Sequence, residues 1–232
     1  MRNSIYKFVK RGFDIFASLV GIILTSPIWL VTIIGIYISD PGPIFYKATR
    51  IGKGGREFSM WKFRSMTVPK KKSEESEASF KADTARIFKF GGIMRRLKID
   101  ELPQLLNIIG GTMSVVGPRP AAKDQVEVMR SGKYEIASSV RPGLTSPAAL
   151  YDYIYGDTVE DPAEYERLVL PTRLELEAYY PQHMSAWYDV KLIWYTVVCI
   201  IASALHKTPN RIFKEITACV EVEAIETEAA NV

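Results

Sequence analysis

The 232-residue chain contains little cysteine and little histidine. Its two cysteines, Cys199 and Cys219, lack the spacing of zinc ligands and are too few for a disulfide framework. Cys199 lies in an apolar run and is typical of a small core residue. A histidine-based catalytic group is possible at either His183 or His206, the only two histidines. This composition excludes a disulfide scaffold and is compatible with a reducing compartment.

The sequence also lacks a glycine-rich phosphate loop of the P-loop or dinucleotide type, which argues against a kinase or a dehydrogenase. Charge is distributed unevenly. Residues 1–150 hold 24 Lys and Arg against 12 Asp and Glu, a net charge of +12, whereas residues 151–232 hold 6 against 14, a net charge of −8. A basic first part suits an anionic partner, whether a nucleic acid, an anionic membrane surface or a phosphorylated substrate.

What the sequence does have is a long apolar segment near its N-terminus. From Phe13 to Ile38 the only charged residue is Asp14. About 26 residues would span a bilayer as a straight helix. The segment is too long for a signal peptide, and no small-residue cleavage motif follows it. Because it is apolar on all sides, a membrane helix is favoured over a buried core helix.

Two details predict that this helix does not simply cross the membrane. Pro27 removes a backbone donor, so a break is expected at Ser26-Pro27, where the Ser26 hydroxyl could satisfy the freed backbone. Both flanks are basic, and positive charge marks the cytoplasmic side. We therefore predict that residues 1–40 form a re-entrant membrane helix that enters and returns through the cytoplasmic face. A kinked spanning helix is the alternative.

The rest of the chain predicts an α/β domain, mostly α, over residues 41–212 and an acidic mobile tail over residues 213–232. A short β-hairpin is expected from residues 44–49 and 57–66, and a mobile loop from residues 67–84. Further helices are predicted over residues 85–98, 101–109 and 124–129. Residues 186–205 carry Trp and Tyr of the kind found at headgroup level, so we expect an interfacial amphipathic helix or a helix packed on the core.

The most informative short stretch for chemistry is Asp100-Glu101-Leu102-Pro103. Aspartate is a good N-cap and glutamate favours the first helical turn, so on these residues alone a structural role is the simpler interpretation. Adjacent carboxylates can also hold a hard cation such as Mg²⁺. One of the two could attack phosphorus to form an acyl phosphate.

Cations surround this carboxylate pair in the sequence. Lys62 and Arg64 fall on one face of a predicted strand, because side chains alternate along a strand. Arg119 stands in a rigid Gly-Pro-Arg-Pro turn. Such cations suit a diphosphate, and a helix N-terminus adds free backbone donors. Three more cations directly precede the pair: Arg95, Arg96 and Lys98.

An ordered set of motifs resembles the bacterial sugar transferase family, the small monotopic phosphoglycosyl transferases. In chain order they are Lys10-Arg11-x-x-Asp14, Ser26-Pro27, Gly42-Pro43-x-Phe45-Tyr46, Arg50-x-Gly52-x-x-Gly55, Lys62-Phe63-Arg64-Ser65-Met66, Asp100-Glu101-Leu102-Pro103-Gln104-Leu105, Met113-Ser114-x-Val116-Gly117-Pro118-Arg119-Pro120 and Arg141-Pro142-Gly143-Leu144-Thr145. They cover about residues 7–147. Two positions depart from the family pattern, Thr112 where Asp is common and Ser146-Pro147 where Gly is common, which leaves the sugar open.

The resemblance implies a re-entrant helix and a small catalytic domain on the cytoplasmic face of the bacterial inner membrane. It implies transfer of a phosphosugar from a UDP-sugar to polyprenyl (undecaprenyl) phosphate with release of UMP, which initiates the synthesis of exopolysaccharide, capsule or another glycoconjugate. Asp100 would carry the covalent phosphosugar, and Glu101 would act as acid or base or hold Mg²⁺ with Asp100. The phosphates or the nucleotide would be bound by Lys62, Arg64, Arg119 and Arg141.

Two other hypotheses stay open. A non-catalytic membrane-anchored module could bind anionic lipid or RNA through its basic half, with binding that weakens steeply with salt. A UDP-sugar hydrolase would use the same site with water as the acceptor. The aromatic residues show no order typical of a single-strand platform, so membrane lipid is the expected partner and nucleic acid is not. The sequence leaves the sugar and a homodimer open.

Overall fold

A computed structural model describes residues 2–68 and 84–219 of the chain. This part is mostly helical, and its elements in chain order are α1 (Arg2–Ser39), β1 (Phe45–Ile51), β2 (Glu57–Phe63), α2 (Lys89–Arg96), α3 (Gln104–Ile109), β3 (Ser114–Val116), β4 (Ala121–Ala122), α4 (Val126–Met129), β5 (Gly143–Thr145), α5 (Pro147–Ile154), α6 (Pro162–Leu168), α7 (Leu170–His183), α8 (Ala186–Ala204) and α9 (210–219). Short 3-10 turns join several of them, one of which spans Ile99–Glu101.

The residues on both sides of Pro27 belong to one helix, α1, so the predicted break at Ser26-Pro27 does not interrupt the helical hydrogen bonding, and a bend there stays a prediction. A proline at this position leaves the carbonyl of Ile23, four residues earlier, without its helical N–H donor. The Ser26 hydroxyl donates to that carbonyl at 2.8 Å. The Thr25 hydroxyl donates in the same way to the carbonyl of Gly21 at 2.7 Å. The predicted compensation by Ser26 is therefore confirmed, and it allows the helix to continue.

The two sides of α1 have the reverse of the polarity expected for a helix packed on a soluble domain. Its buried side includes Asp14, Ser18 and Thr32, each at most 2% exposed. Its exposed side carries the large apolar residues Ile5, Phe8, Val9, Phe13, Phe16, Leu19, Val20, Ile23, Leu24, Ile28, Leu30, Val31, Ile34, Tyr37 and Ile38. By length and composition both Ile5–Ser39 and Ala186–Ala204 could cross a membrane. Such an outer face suits contact with lipid.

Both ends of α1 are fixed to the same domain. Near the N-terminal end, Asp14 accepts hydrogen bonds from the Ser114 hydroxyl at 2.8 Å and from the backbone N–H of Val115 at 3.1 Å. Just past the C-terminal end, Asp40 forms an ion pair with Arg64. Arg64 is buried and also donates to the carbonyl of Pro43 at 2.5 Å. The helix thus lies along the domain between two charged contacts.

The β-hairpin predicted from the sequence is confirmed. β1 and β2 pair antiparallel from Phe45 opposite Phe63 to Ile51 opposite Glu57, and β4 adds to the other edge of β1. A separate parallel pair forms between β3 and β5. β2 ends at Phe63, so the strand is shorter than the predicted range to residue 66, and the side chain of Arg64 beyond it contacts the end of α1.

The helices lie where the sequence predicts them, but they begin and end at other residues than predicted. The predicted helix over residues 85–98 is a 3-10 turn at Thr84–Arg86 followed by α2, and the predicted helix at residues 124–129 is a 3-10 turn followed by α4. α3 begins at Gln104, not at residue 101. Most of the predicted mobile loop and of the predicted tail lies outside the described residues. The part of the tail within α9 is helical, and α9 buries Ile212 and Ile216.

The largest core cluster lies beneath β3 and β5, where α5, α7 and α8 meet. Its fully buried members include Leu150, Tyr165, Leu176, Tyr180 and Leu192. The helix predicted over residues 186–205 is α8, whose inner side joins this core through Leu192 while its outer side is exposed. Helix α8 therefore packs on the core with one side and leaves an apolar stripe exposed on the other.

Two glycines allow the loops after β3 and before β5 to touch backbone to backbone. Gly117 and Gly143 lie so close that a Cβ on Gly143 would meet the backbone nitrogen of Gly117 at 2.1 Å. The N–H of Gly143 donates to the carbonyl of Pro118 at 2.8 Å. This contact joins the Pro118-Arg119-Pro120 loop to the loop that holds Arg141.

We predict that Gly143→Ala lowers the thermal midpoint by several degrees in detergent solution, because the new methyl must displace backbone and overpacking costs about 1–3 kcal/mol. Gly12→Ala in α1 is the matched control, since nothing lies within 4 Å of its added Cβ. That change should leave the midpoint equal or slightly higher, because alanine favours a helix over glycine by about 1 kcal/mol. Equal midpoints for Gly143→Ala and the parent protein would contradict the packing argument.

Candidate active site

Asp100 and Glu101 lie in the 3-10 turn that precedes α3. The turn starts at Lys98, a non-glycine residue in the left-handed region with φ of 55°. Such conformations cost about 1–3 kcal/mol and cluster at functional sites. Pro103 occupies the N-cap position of α3, and neither the turn nor α3 has a side-chain cap hydrogen bond. The capping role considered for Asp100 from the sequence is therefore wrong.

Asp100 is buried without the contacts that a buried carboxylate needs. It is 5% exposed, and its Oδ1 has no hydrogen-bond partner among the described residues. Burial raises the pKa of Asp100, the nearby charge of Lys62 lowers it, and the charge of Glu101 raises it further, with a net increase. Because an unsatisfied buried polar group is costly, this oxygen is a candidate ligand for something that the protein binds.

Glu101 has a different environment from its neighbour. Its Oε1 accepts a hydrogen bond from the ammonium of Lys62 at 3.0 Å, and both side chains are largely buried. Burial alone would raise the pKa of Glu101, but Lys62, Arg119 and Lys98 together lower it to about 2. Glu101 is therefore ionised at neutral pH and is the ion-pair partner of Lys62. The predicted binding of phosphate by Lys62 stays a prediction.

Arg119 is the second predicted cation that acts on the pair. Burial would lower the pKa of Arg119, but the negative charges of Glu101 and Asp152 raise it above its ordinary value. Its guanidinium lies 3.8 Å from a carboxylate oxygen of Asp152 on α5. Asp152 also accepts a hydrogen bond from the Tyr165 hydroxyl at 2.5 Å. Arg119 thus contacts a second carboxylate, Asp152, that the sequence analysis did not identify.

The backbone of Arg119 is held from beneath by α7. The carboxylate of Glu177 accepts the N–H of Arg119 at 2.7 Å, and Arg130 donates to the Arg119 carbonyl at 2.5 Å. Glu177 is fully buried, and burial raises its pKa despite the nearby charges of Arg130 and Arg173. The sequence gives no local signal for this contact, because Glu177 stands far from Arg119 in the chain and in no motif.

Two arginines hold the other end of α3. Arg11 of α1 donates to the carbonyls of Ile108 at 2.6 Å and Ile109 at 2.9 Å, and Arg141 donates to the carbonyl of Gly111 at 2.9 Å. Cations at a helix C-terminus satisfy carbonyls that have no intrahelical donor. Arg11 therefore has a positioning role that the sequence analysis did not assign.

The predicted site residues thus divide into two groups. Lys62 forms an ion pair with Glu101, and the charge of Arg119 lowers the pKa of Glu101. Arg64 and Arg141 are engaged elsewhere, Arg64 with the end of α1 and Arg141 with the end of α3. The histidines also lie apart from the site contacts: His183 stacks on Tyr179 with 3.8 Å between ring centroids, and His206 follows α8.

The carboxylate pair is compatible with a divalent cation, although the described residues contain no cluster of three or more Asp, Glu, His or Cys side chains. Mg²⁺ commonly takes one or two carboxylates and completes its shell with water and substrate phosphates. The unpartnered Oδ1 of Asp100 and the neighbouring carboxylate of Glu101 meet that requirement. Lys62 competes for Glu101, so Asp100 offers the freer oxygen.

Fold and site together define a class: a small domain with an apolar N-terminal helix and an acidic pair set among cations. Within that class, the chain belongs to the bacterial sugar transferase family, whose model matches residues 5–203.

Three relatives illustrate the family. The UDP-N-acetylgalactosamine-undecaprenyl-phosphate N-acetylgalactosaminephosphotransferase of Aeromonas hydrophila is 36% identical over 202 residues, which cover 86% of this chain and 45% of the relative. The UDP-glucose:undecaprenyl-phosphate glucose-1-phosphate transferase of Escherichia coli is 32% identical, over 84% of this chain and 40% of the relative. The exopolysaccharide production protein PSS of Rhizobium leguminosarum is 36% identical, over 82% of this chain and 94% of the relative. The chain therefore spans less than half of the two longer relatives.

The low pKa of Glu101 predicts how Glu101→Gln changes stability with pH. A carboxylate whose pKa is depressed on folding stabilises the protein above its ordinary pKa of 4.5, and this contribution disappears as the pH falls towards 2. Glu101→Gln should therefore lower the free energy of unfolding at pH 6 by on the order of a few kcal/mol, and the thermal midpoint with it. This deficit should shrink between pH 4.5 and pH 2.5.

Glu57→Gln is the control for this titration, because Glu57 pairs with Lys123 at 2.9 Å on the exposed surface. A surface pair contributes about 0–1 kcal/mol, so this variant should follow the parent at every pH. A deficit of Glu101→Gln that stays constant from pH 6 to pH 2.5 would contradict the depressed pKa.

Proposed function

We propose that this protein transfers a sugar phosphate from a UDP-sugar to polyprenyl phosphate and releases UMP. The observation that carries the proposal is the buried Asp100 oxygen without a partner, next to an ionised Glu101 held by Lys62. Family membership and the names of the relatives support this reaction class. The two named transferases use different sugars, so the proposal commits to the UDP-sugar class and not to one sugar.

Asp100 is the proposed nucleophile. Its carboxylate attacks the β-phosphorus of the UDP-sugar, a bond forms between carboxylate oxygen and phosphorus, and the bond from that phosphorus to the bridging oxygen breaks. UMP leaves with the bridging oxygen and both electrons of the broken bond. A phosphate oxygen of polyprenyl phosphate then attacks the same phosphorus, which forms the lipid-linked sugar diphosphate and restores the Asp100 carboxylate.

The cations have an electrostatic role in both steps. Lys62 and Arg119 would stabilise negative charge on a bound diphosphate, because fixed charges in a largely buried site act more strongly than they would in water. Because the pKa of Glu101 is about 2, its carboxylate is a base or a metal ligand at neutral pH and not a proton donor. Asp100 and Glu101 would hold Mg²⁺, which would neutralise phosphate charge.

The membrane position follows from the two ends of α1. From Asp14 to Asp40 a straight helix would extend about 39 Å, more than the hydrocarbon core of about 30 Å. Yet both residues bond to one domain, which also holds the charged site. A crossing helix would pull part of that domain into the bilayer. We therefore propose that α1 bends and re-enters, with the domain on the cytoplasmic face and the exposed stripe of α8 at the lipid interface.

Intact-protein mass spectrometry tests the reaction. Protein in detergent with Mg²⁺ is mixed with a panel of UDP-sugars and no lipid acceptor, then quenched. A mass increase of one phosphosugar is expected, together with UMP, and Asp100→Asn should abolish both, a loss of at least about 10⁴-fold as for other essential nucleophiles.

Asp124→Asn is the matched control, because Asp124 is an exposed aspartate in a 3-10 turn and makes the same change of charge. It should form the adduct at the parental rate. A phosphosugar adduct that persists in Asp100→Asn would refute Asp100 as the nucleophile. Release of UMP without a lipid-linked product, when polyprenyl phosphate is supplied, would favour the hydrolase.

Cysteine accessibility tests the re-entrant course. Lys7→Cys places a thiol at an exposed position in the first turns of α1, ahead of its apolar run, and Lys53→Cys places one at an exposed position after α1. Both are made in a Cys219→Ser background with Cys199 buried. A membrane-impermeant maleimide should label both thiols in inverted vesicles and neither in intact spheroplasts. Labelling of Lys7→Cys in intact spheroplasts would establish a spanning helix, and detergent-permeabilised cells control for reactivity.

A further inference from the structure

A small basic cavity lies at the C-terminal end of α8, outside the contacts of the carboxylate pair. It has a volume of about 210 Å³ and is lined by residues from α2, α5, the end of α8 and the segment before α9. Three of its lining residues are basic, namely Arg96, His206 and Lys207. Hydroxyl groups of Tyr153, Ser203 and Thr208 complete its polar lining, and Cys199 lies in its wall.

The basic residues of this cavity have no carboxylate partner in the part of the chain that the structure describes. Lys98 nearby provides a contrast, because it pairs with Asp157 at 3.6 Å and stacks over the ring of Tyr153. Arg96 and Lys207 line one cavity without a counter-charge, and the ring of His206 lies beside them. That arrangement suits an anion with several acceptor oxygens, such as a phosphate group.

The backbone around the cavity is fixed. The Tyr153 hydroxyl donates to the carbonyl of Arg96 at 2.7 Å, which joins α5 to the end of α2. His206 has φ of 54°, and within the described residues only Lys98, beside the carboxylate pair, is another non-glycine residue with positive φ. The positive φ of His206 marks a sharp turn of the chain after α8, and this turn brings His206 and Lys207 to the cavity.

The apolar stripe of α8 leads directly to this cavity. The exposed residues of the stripe recur at helical spacing: Trp187, Val190, Trp194, Val197, Ile201 and Leu205. The next two residues are His206 and Lys207. A helix that lies at the membrane surface buries such a stripe among acyl chains and brings the cations at its end to headgroup depth. An anion bound here would therefore be attached to lipid.

We propose that this cavity binds the headgroup phosphate of an anionic phospholipid, whose acyl chains lie along the stripe of α8. The membrane placement of α8 that this requires rests on the proposed function. The site is distinct from the carboxylate pair, so it would hold a resident lipid at the domain edge and fix the height of α8 in the bilayer.

Native mass spectrometry of detergent-purified protein tests the proposal. The protein is titrated with dioleoyl phosphatidylglycerol or with dioleoyl phosphatidylcholine. Parent protein should retain phosphatidylglycerol at least about tenfold more strongly, a difference of about 1.4 kcal/mol. Arg96→Gln combined with Lys207→Gln should abolish that preference. Both side chains are exposed, so thermal midpoints should match the parent and exclude misfolding.

Lys53→Gln combined with Arg167→Gln is the control, because it removes the same charge at exposed positions outside the cavity. The control should keep the full preference for phosphatidylglycerol. Equal loss in both double variants, or no preference in the parent, would overturn the proposal. Displacement by soluble glycerol phosphate at the lipid's own concentration would assign the cavity to a free phosphate and also overturn it.

The phosphosugar adduct of the parent protein is a separate readout. Its absence would refute the proposed transfer and would leave the lipid preference to be decided by the two double variants. A normal adduct with no lipid preference would refute the lipid site alone.

Discussion

The interaction on which the site depends is the contact between Arg11 of α1 and the C-terminal carbonyls of α3. The carboxylate pair lies just before the other end of α3, so a cation on the apolar helix fixes the helix that carries the chemistry. Asp14, one turn further on, holds β3 through Ser114 and Val115. The helix with the apolar outer face, α1, therefore also fixes the positions of α3 and β3 next to the site.

This dependence explains why α1 buries polar residues. Charges such as Asp14 are expensive to bury unless they are paired or hydrogen-bonded. Here Asp14 has a hydroxyl, a backbone N–H and Lys10 at 3.7 Å, and Lys10 in turn contacts Asp189 at 2.8 Å. Such a network is directional, whereas apolar packing tolerates sliding. These polar contacts add to the apolar packing of Ile36 against Phe63 and Met94.

The parts of the structure that could be predicted from the sequence are those with local signals. The β-hairpin, α8 and the helix compensation by Ser26 follow from periodicity, composition and proline chemistry. Arg64 shows where such reasoning ends: strand alternation placed it with Lys62, but β2 ends at Phe63 and Arg64 turns to Asp40. Glu177 and Asp152 had no local signal, because a lone carboxylate in a helix is typical of a solvated surface until the tertiary fold buries it.

The two adjacent carboxylates acquire opposite properties because their surroundings differ. Lys62 and Arg119 keep Glu101 ionised, while Asp100 is buried with one oxygen unsatisfied and a raised pKa. Neighbouring acids whose environments move their pKa values apart commonly have different roles. An unsatisfied buried carboxylate lowers stability until a cation or a hydrogen-bond donor contacts it, so part of the binding free energy of such a ligand would offset that cost. The contacts beneath Arg119 and at the C-terminal end of α3 help the fold to maintain Asp100 in this unfavourable state.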